Sequence, residues 1–190
     1  MSVRSLDAIR AGLRVHTPRA LTGRRRAAVA IALHDASGGP EALFIERAER
    51  FGDPWSGQMA FPGGRVDPGD TGPRSAAERE TLEEVGVDLS GAELLGRLGD
   101  IEAGVRLVAP LVLSAFVYAL PDRAPTVPNH EVREALWVPV RRLVDPVYRV
   151  QHRWGVSRFP GISVGTRGTQ VVWGLTYQLV EELLQVTGTR

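Results

Sequence analysis

Apolar runs bounded by turn residues organise the chain. Residues 27–33 and 42–45 are β-type apolar runs, separated by Asp35-Ala36-Ser37-Gly38-Gly39-Pro40, whose glycine, proline and aspartate content marks a turn. Ahead of them Leu6, Ile9 and Leu13 recur at helical spacing, so residues 5–15 read as a short amphipathic helix with Ser5 as its N-cap. A second helix is predicted over residues 73–85, with Pro73 in the first turn and Gly86 at its stop. Residues 93–98 and 108–118 read as strands, the second apolar enough to be central in a sheet. Residues 131–139 end in a strand, and 176–186 form a helix. The stretches 121–129 and 149–168 are expected to be exposed loops of a length that often shapes a pocket. Mixed strands with a few helices argue for an α/β or α+β fold.

Composition narrows the function classes. A chain of 190 residues suits one domain, here taken as 1–190 with residues 1–22 as an N-terminal helical extension. The net charge of +1 gives no global pull toward nucleic acid or membrane. All 23 basic residues are arginine. The absence of lysine excludes a Schiff-base mechanism and leaves bidentate guanidinium contacts as the cationic means of holding phosphate. Without cysteine there is no disulfide frame, thiol nucleophile or thiolate metal site, which is compatible with a reducing cytoplasm, the expected location. Residues 1–19 carry charges throughout and lack a continuous apolar stretch, so neither a signal peptide nor a membrane span is expected.

The densest chemical signal is the helix carrying Glu80, Glu83 and Glu84, which at about 100° per residue project within one arc of roughly 100°. Like charges at these spacings destabilise a helix by about 0.2–0.5 kcal/mol per pair. A hard divalent cation with oxygen ligands, Mg²⁺ or Mn²⁺, would turn that repulsion into coordination. Arg79 can reach Glu83 one turn on and orient it.

The surroundings of this helix resemble the Nudix hydrolase family. Gly64 is followed by five residues and Asp70, then by Arg79-Glu80-Thr81-Leu82-Glu83-Glu84-Val85-Gly86-Val87. Three positions depart from the family pattern: Asp70 stands where glutamate is usual, eight residues rather than seven separate it from Arg79, and Thr81 replaces an aliphatic. The first two look like the subgroup that cleaves coenzyme A. Gly57-Gln58-Met59-Ala60-Phe61-Pro62-Gly63-Gly64, Arg25-Arg26-Ala27-Ala28-Val29 and Val172-Trp173-Gly174-Leu175-Thr176 are similar to that subgroup as well. Its Leu-Arg-x-His element is missing from residues 47–56.

The resemblance implies a mixed β-sheet sandwiched between helices and a Mg²⁺-dependent pyrophosphohydrolase acting on a small nucleoside diphosphate derivative. Coenzyme A or an acyl-CoA is the first choice; ADP-ribose, nucleoside diphosphate sugars, nucleoside triphosphates and a non-catalytic nucleotide sensor are the alternatives. Glu80, Glu83 and Glu84 are the expected metal ligands, and the family adds the backbone carbonyl of Gly63 or Gly64. Glu83 or Glu131 is the candidate general base. Asp70 is expected to support the loop rather than carry catalysis. Arg47, Arg65 and Phe61 are the candidate substrate contacts, with Trp55 a further aromatic. A homodimer through the N-terminal helix and packing of that helix on its own domain both remain open.

Overall fold

The structure, a computed structural model, describes residues 5–23, 25–52, 55–103 and 110–188. In chain order the elements are α1 (Leu6–Val15), β1 (Arg25–Ala36), β2 (Gly39–Arg47), β3 (Met59–Ala60), β4 (Gly63–Arg65), α2 (Pro73–Val85), β5 (Glu93–Arg97) and β6 (Ile101–Ala103). Then follow β7 (Leu111–Ala119), β8 (Val132–Pro139), α3 (Val140–Val144), β9 (Arg149–Trp154), β10 (Ser157–Ser163), β11 (Val171–Trp173) and α4 (Gly174–Val186). Strands β1 to β8 form one mixed sheet in which β1 runs parallel to β7, while β2 and β4 pair antiparallel with β1. The fold is α+β, with helices on both sheet faces.

Strand β1 shows why its sequence carries no polar alternation. Ala28, Ala30 and Ala32 point to the α2 face, and Ala27, Ile31 and Leu33 to the opposite face; both are buried. Three alanines on one face, meeting Ala76 and Ala77 of α2, let the helix backbone approach the sheet closely. The larger side chains fill the other layer together with Phe44, Leu143, Leu179 and Leu183.

Helix α1 starts where expected, with the Ser5 hydroxyl accepting from the Ala8 N–H at 3.4 Å. Its Leu6, Ile9 and Leu13 are buried in the main core, so its apolar face is occupied by its own domain. Helix α2 ends at Gly86, whose left-handed φ of 71° closes the last turn onto the Leu82 carbonyl. The strand expected over 108–118 is β7, central as anticipated; residues 108 and 109 lie outside the described residues.

The loop expected over 149–168 is corrected. Most of it is the β9–β10 hairpin of a separate three-stranded sheet with β11. The strands carry arginine, glutamine, histidine, proline and glycine instead of an apolar alternation, and burial of Ile162 and Val172 anchors them. Residues 121–129 are free of helix and strand, as expected. Among the described residues no helix is long and apolar enough to cross a membrane.

Candidate active site

Helix α2 lies across β1 and β4, so the acids on its inner side meet the Gly63–Gly64 backbone. Glu84 is buried at 2% exposure, and its Oε2 accepts from the Gly63 N–H at 2.9 Å. Burial is the main cause that raises its pKa from 4.5 to about 7; the Gly63 N–H and the Arg47 guanidinium, 4.0 Å away, offset only part of it. Glu80 is also raised, again chiefly by burial, against the opposing pull of Arg79. Two partly desolvated carboxylates on one helix, with Glu80 adding to the rise of Glu84 and with Glu83 and Glu131 adding to that of Glu80, form a site short of positive charge.

The paired glycines have separate jobs. A Cβ on Gly64 would stand 2.4 Å from Glu80 Oε1, so only glycine leaves room for that carboxylate. Gly63 has φ +150°, and a Cβ there would strike the Ala28 carbonyl at 2.2 Å. The ladder to β1 distinguishes them further. The Ala30 N–H donates to the Pro62 carbonyl and the Val66 N–H to that of Arg26, which sets the alternation so that Gly64 exchanges its bonds with Ala28. Gly63 falls in the non-bonded pair, and its backbone turns toward α2, as its bond to Glu84 shows. Of the two glycine carbonyls considered as ligands, the one that the ladder leaves free of β1 is therefore that of Gly63, while Gly64 makes room for Glu80. Gly64→Ala is expected to displace Glu80 and lower kcat by about 10- to 100-fold while changing Tm little. Steady-state kinetics alongside a melting curve checks this; a wild-type rate would remove Glu80 from the site.

Arg79 is the hub on the outer side. Its Nε and Nη2 donate to the two Asp70 oxygens at 3.1 Å each, its Nη1 donates to Glu83 at 3.0 Å, and its Nη2 reaches the Arg65 carbonyl at 3.2 Å. Asp70, its pKa lowered first by Arg79, also accepts from the Asp67 N–H at 2.8 Å. The eight-residue spacer is thus closed by a bidentate pair that ties the loop after β4 to α2. Glu83 stays exposed and faces Arg79. Among the described residues no three acid or histidine side chains stand ready-grouped for a metal.

A model of the NUDIX domain matches residues 23–158. The chain belongs to the Nudix hydrolase family. It is 30% identical over 163 residues to the human mitochondrial coenzyme A diphosphatase NUDT8, covering 84% of this chain and 68% of the human one. An uncharacterised Schizosaccharomyces pombe protein is 39% identical over 112 residues, covering 56% of this chain and only 34% of the yeast protein. Among solved structures, the Nudix hydrolase RenU of M. smegmatis superposes with a TM-score of 0.58 at 19% identity, covering 89% of both chains. That likeness shows the fold alone.

Nudix hydrolases generally use a divalent cation. The donor set here fits one: the oxygens of half-buried Glu80 and buried Glu84, the freed Gly63 carbonyl, and a charge deficit that a cation would relieve. The Thr81 departure from the Nudix pattern is harmless, because this fully buried hydroxyl donates to the Ala77 carbonyl at 2.7 Å.

Glu131 reaches the edge of the Nudix site, where its charge raises both Glu80 and Glu84. It directly precedes strand β8. Its carboxylate pairs with Arg50 at 2.9 Å, a partner that sequence spacing did not reveal because 81 positions separate the two. Phe61 is corrected as a substrate contact: it is 2% exposed and stacks on Phe44 in the core. Arg65 is exposed, and Arg47 lies beside Glu84.

Proposed function

We propose that this protein is a Mg²⁺-dependent diphosphatase that cleaves coenzyme A or an acyl-CoA to 3′,5′-ADP and the 4′-phosphopantetheine species. The observation that carries the hydrolytic reading is the pairing of half-buried Glu80 with buried Glu84 against the Gly63–Gly64 backbone. The coenzyme A assignment is supported by the Asp70 spacer locked through Arg79 and by the name of the human relative.

In this reaction water attacks one phosphorus, the bridging P–O bond breaks, and the leaving phosphate carries away the bonding pair. A divalent cation supplies positive charge against the diphosphate oxygens and lowers the pKa of the attacking water. Glu80, Glu84 and the Gly63 carbonyl would hold that cation, with Glu83, paired with Arg79, as a further carboxylate beside them. Glu83 and Glu131, both on the open side, are the acids placed to take the water's proton. Arg47 grips a phosphate oxygen from the side of Glu84, and Arg79 keeps the Asp70 loop fixed. A cytoplasmic location belongs to the same proposal.

The test is hydrolysis by the purified protein with Mg²⁺ of coenzyme A, acetyl-CoA, ADP-ribose, a nucleoside diphosphate sugar, a diadenosine polyphosphate and dGTP, with products resolved by chromatography. Release of 3′,5′-ADP from coenzyme A at the highest kcat/KM is the expected result. Preference for another compound would overturn the substrate and attribute the choice to residues 47–56; no hydrolysis of any would favour a nucleotide sensor.

A further inference from the structure

A buried polar network on the side of the main sheet away from α2 is left unused by the diphosphate chemistry. Its centre is Gln170, 2% exposed, at the end of the turn that joins β10 to β11. The side-chain oxygen accepts from the Thr166 and Arg167 N–H groups at 3.1 and 3.2 Å, and the side-chain nitrogen donates to Glu46 at 3.1 Å and to Glu134 at 2.9 Å. Both acceptor positions and both hydrogens of the amide are thereby used, which permits one orientation only. Gly165 lacks the Cβ that would collide with the Gln170 oxygen, so the turn can close over the amide. Glu46, 1% exposed, also accepts from Arg167 at 2.9 Å and from Arg133 at 3.3 Å, and Arg167 pairs with Glu134 as well.

This network grips β2 and β8 at the one point where their pairing is irregular. Glu46 stands opposite Glu134 but Arg47 opposite Val132, so Arg133 is an extra residue, a bulge in β8. Burial shows the consequence. Val132 and Ala135 both pack in the layer under α2, although residues three apart on a regular strand face opposite ways. Without the extra residue Arg133 would stand opposite Arg47, and two guanidinium groups would repel one another on the α2 face. The bulge sends Arg133 to the other face, where Glu46 receives it, and leaves the Arg47 guanidinium 4.0 Å from Glu84. The shifted register continues one step further, since the Ala48 N–H donates to the Glu131 carbonyl at 2.8 Å.

We propose that Gln170 is a positioning residue for the reaction: by bridging Glu46 and Glu134 it fixes the bulged register that aims Arg47 at the diphosphate. Glu46 and Glu134 are the last regular pair before the bulge, and one amide nitrogen holds both, so a slip of β8 along β2 would break two hydrogen bonds at once. A carboxylate at position 170 would repel both acids; the neutral amide satisfies them. The inference rests on the reading of Arg47 as a phosphate contact.

The test is a double-mutant cycle between Gln170→Met, which keeps the side-chain volume and removes the hydrogen bonds, and Arg47→Ala. Two quantities are read with Mg²⁺ present: kcat and KM for coenzyme A, and the calorimetric Kd of methylenediphosphonate, whose carbon bridge resists hydrolysis. Gln170→Met is expected to raise KM and the analogue Kd about five- to tenfold, with a smaller change in kcat, and to have no such effect once Arg47 is alanine. An equal loss in both backgrounds would overturn the proposal, because a purely structural role predicts it. So would unchanged KM and Kd in Gln170→Met, or wild-type values in Arg47→Ala, which would leave nothing to position. Melting curves verify folding; Arg167→Ala, at the half-exposed rim of the network, repeats the cycle if Gln170→Met is unfolded, and an absence of coupling there is equally decisive. Coupling in the analogue Kd of a protein that leaves coenzyme A intact would uphold the positioning role and remove the substrate assignment. Cleavage of coenzyme A without coupling would do the reverse, and a wild type that neither binds the analogue nor cleaves coenzyme A would overturn both.

Discussion

Glu84→Gln is expected to lower kcat about a thousandfold, the equivalent of ~4 kcal/mol of transition-state stabilisation, while making the metal-free protein more stable above pH 7. The two effects share one cause. Glu84 has to be an anion to hold a cation, yet it is buried, and its pKa rises from 4.5 to about 7. Between these values the folded protein binds a proton that the unfolded chain has released, so this group's contribution to stability falls as pH rises through the window and levels off above pH 7. The penalty integrates to about 3 kcal/mol as an upper figure. Glutamine removes it and still offers an amide oxygen to the Gly63 N–H. Denaturant unfolding of both proteins at pH 5 and pH 8, without metal, checks the sign: wild type should lose stability toward pH 8 and the variant should not. Added Mg²⁺ should raise the wild-type Tm at pH 8 and leave the variant's nearly unchanged. Equal Mg²⁺ stabilisation of both would show that Glu84 is not a ligand.

Gly63→Ala is expected to cost about 3 kcal/mol or more of folding stability, a fall in Tm of roughly 10 °C for a chain of this size. The added methyl would lie 2.2 Å from the Ala28 carbonyl and 2.6 Å from the Val29 Cα. Both are backbone atoms in the strand that pairs with β7, so no side-chain rotation can relieve the clash. The φ of +150° adds strain for any residue with a Cβ. The contrast is one position along, where Gly64→Ala meets only the flexible Glu80 carboxylate and is expected to harm turnover more than folding. A melting curve within about 2 °C of wild type would show that β4 can move away from β1 without cost.

The limits of α2 and the placement of its carboxylates on one arc were legible in the sequence, because proline, glycine and a 3.6-residue period act within one or two turns. The same holds for α1 and for the buried strands β1 and β2. Burial and pairing were not legible. Glu83 and Glu84 are adjacent and chemically identical, yet one is exposed to Arg79 and the other is sealed against Gly63. That difference depends on where β4 crosses the helix. Arg50 meets Glu131, and Glu46 meets Gln170 and Arg167, through chain segments that sequence spacing does not relate. Phe61, a candidate substrate contact in the sequence, is taken up by Phe44 from another strand. The β9–β11 sheet is not legible in the sequence because its exposed strands lack an apolar alternation; backbone pairing and a few buried contacts hold it instead. The sequence by itself determined the family, the carboxylate helix and the main strands, all set by local spacing. Only the tertiary structure decided which acids are desolvated, which glycine carbonyl is free, and which rings share a face, since each depends on contacts between distant segments.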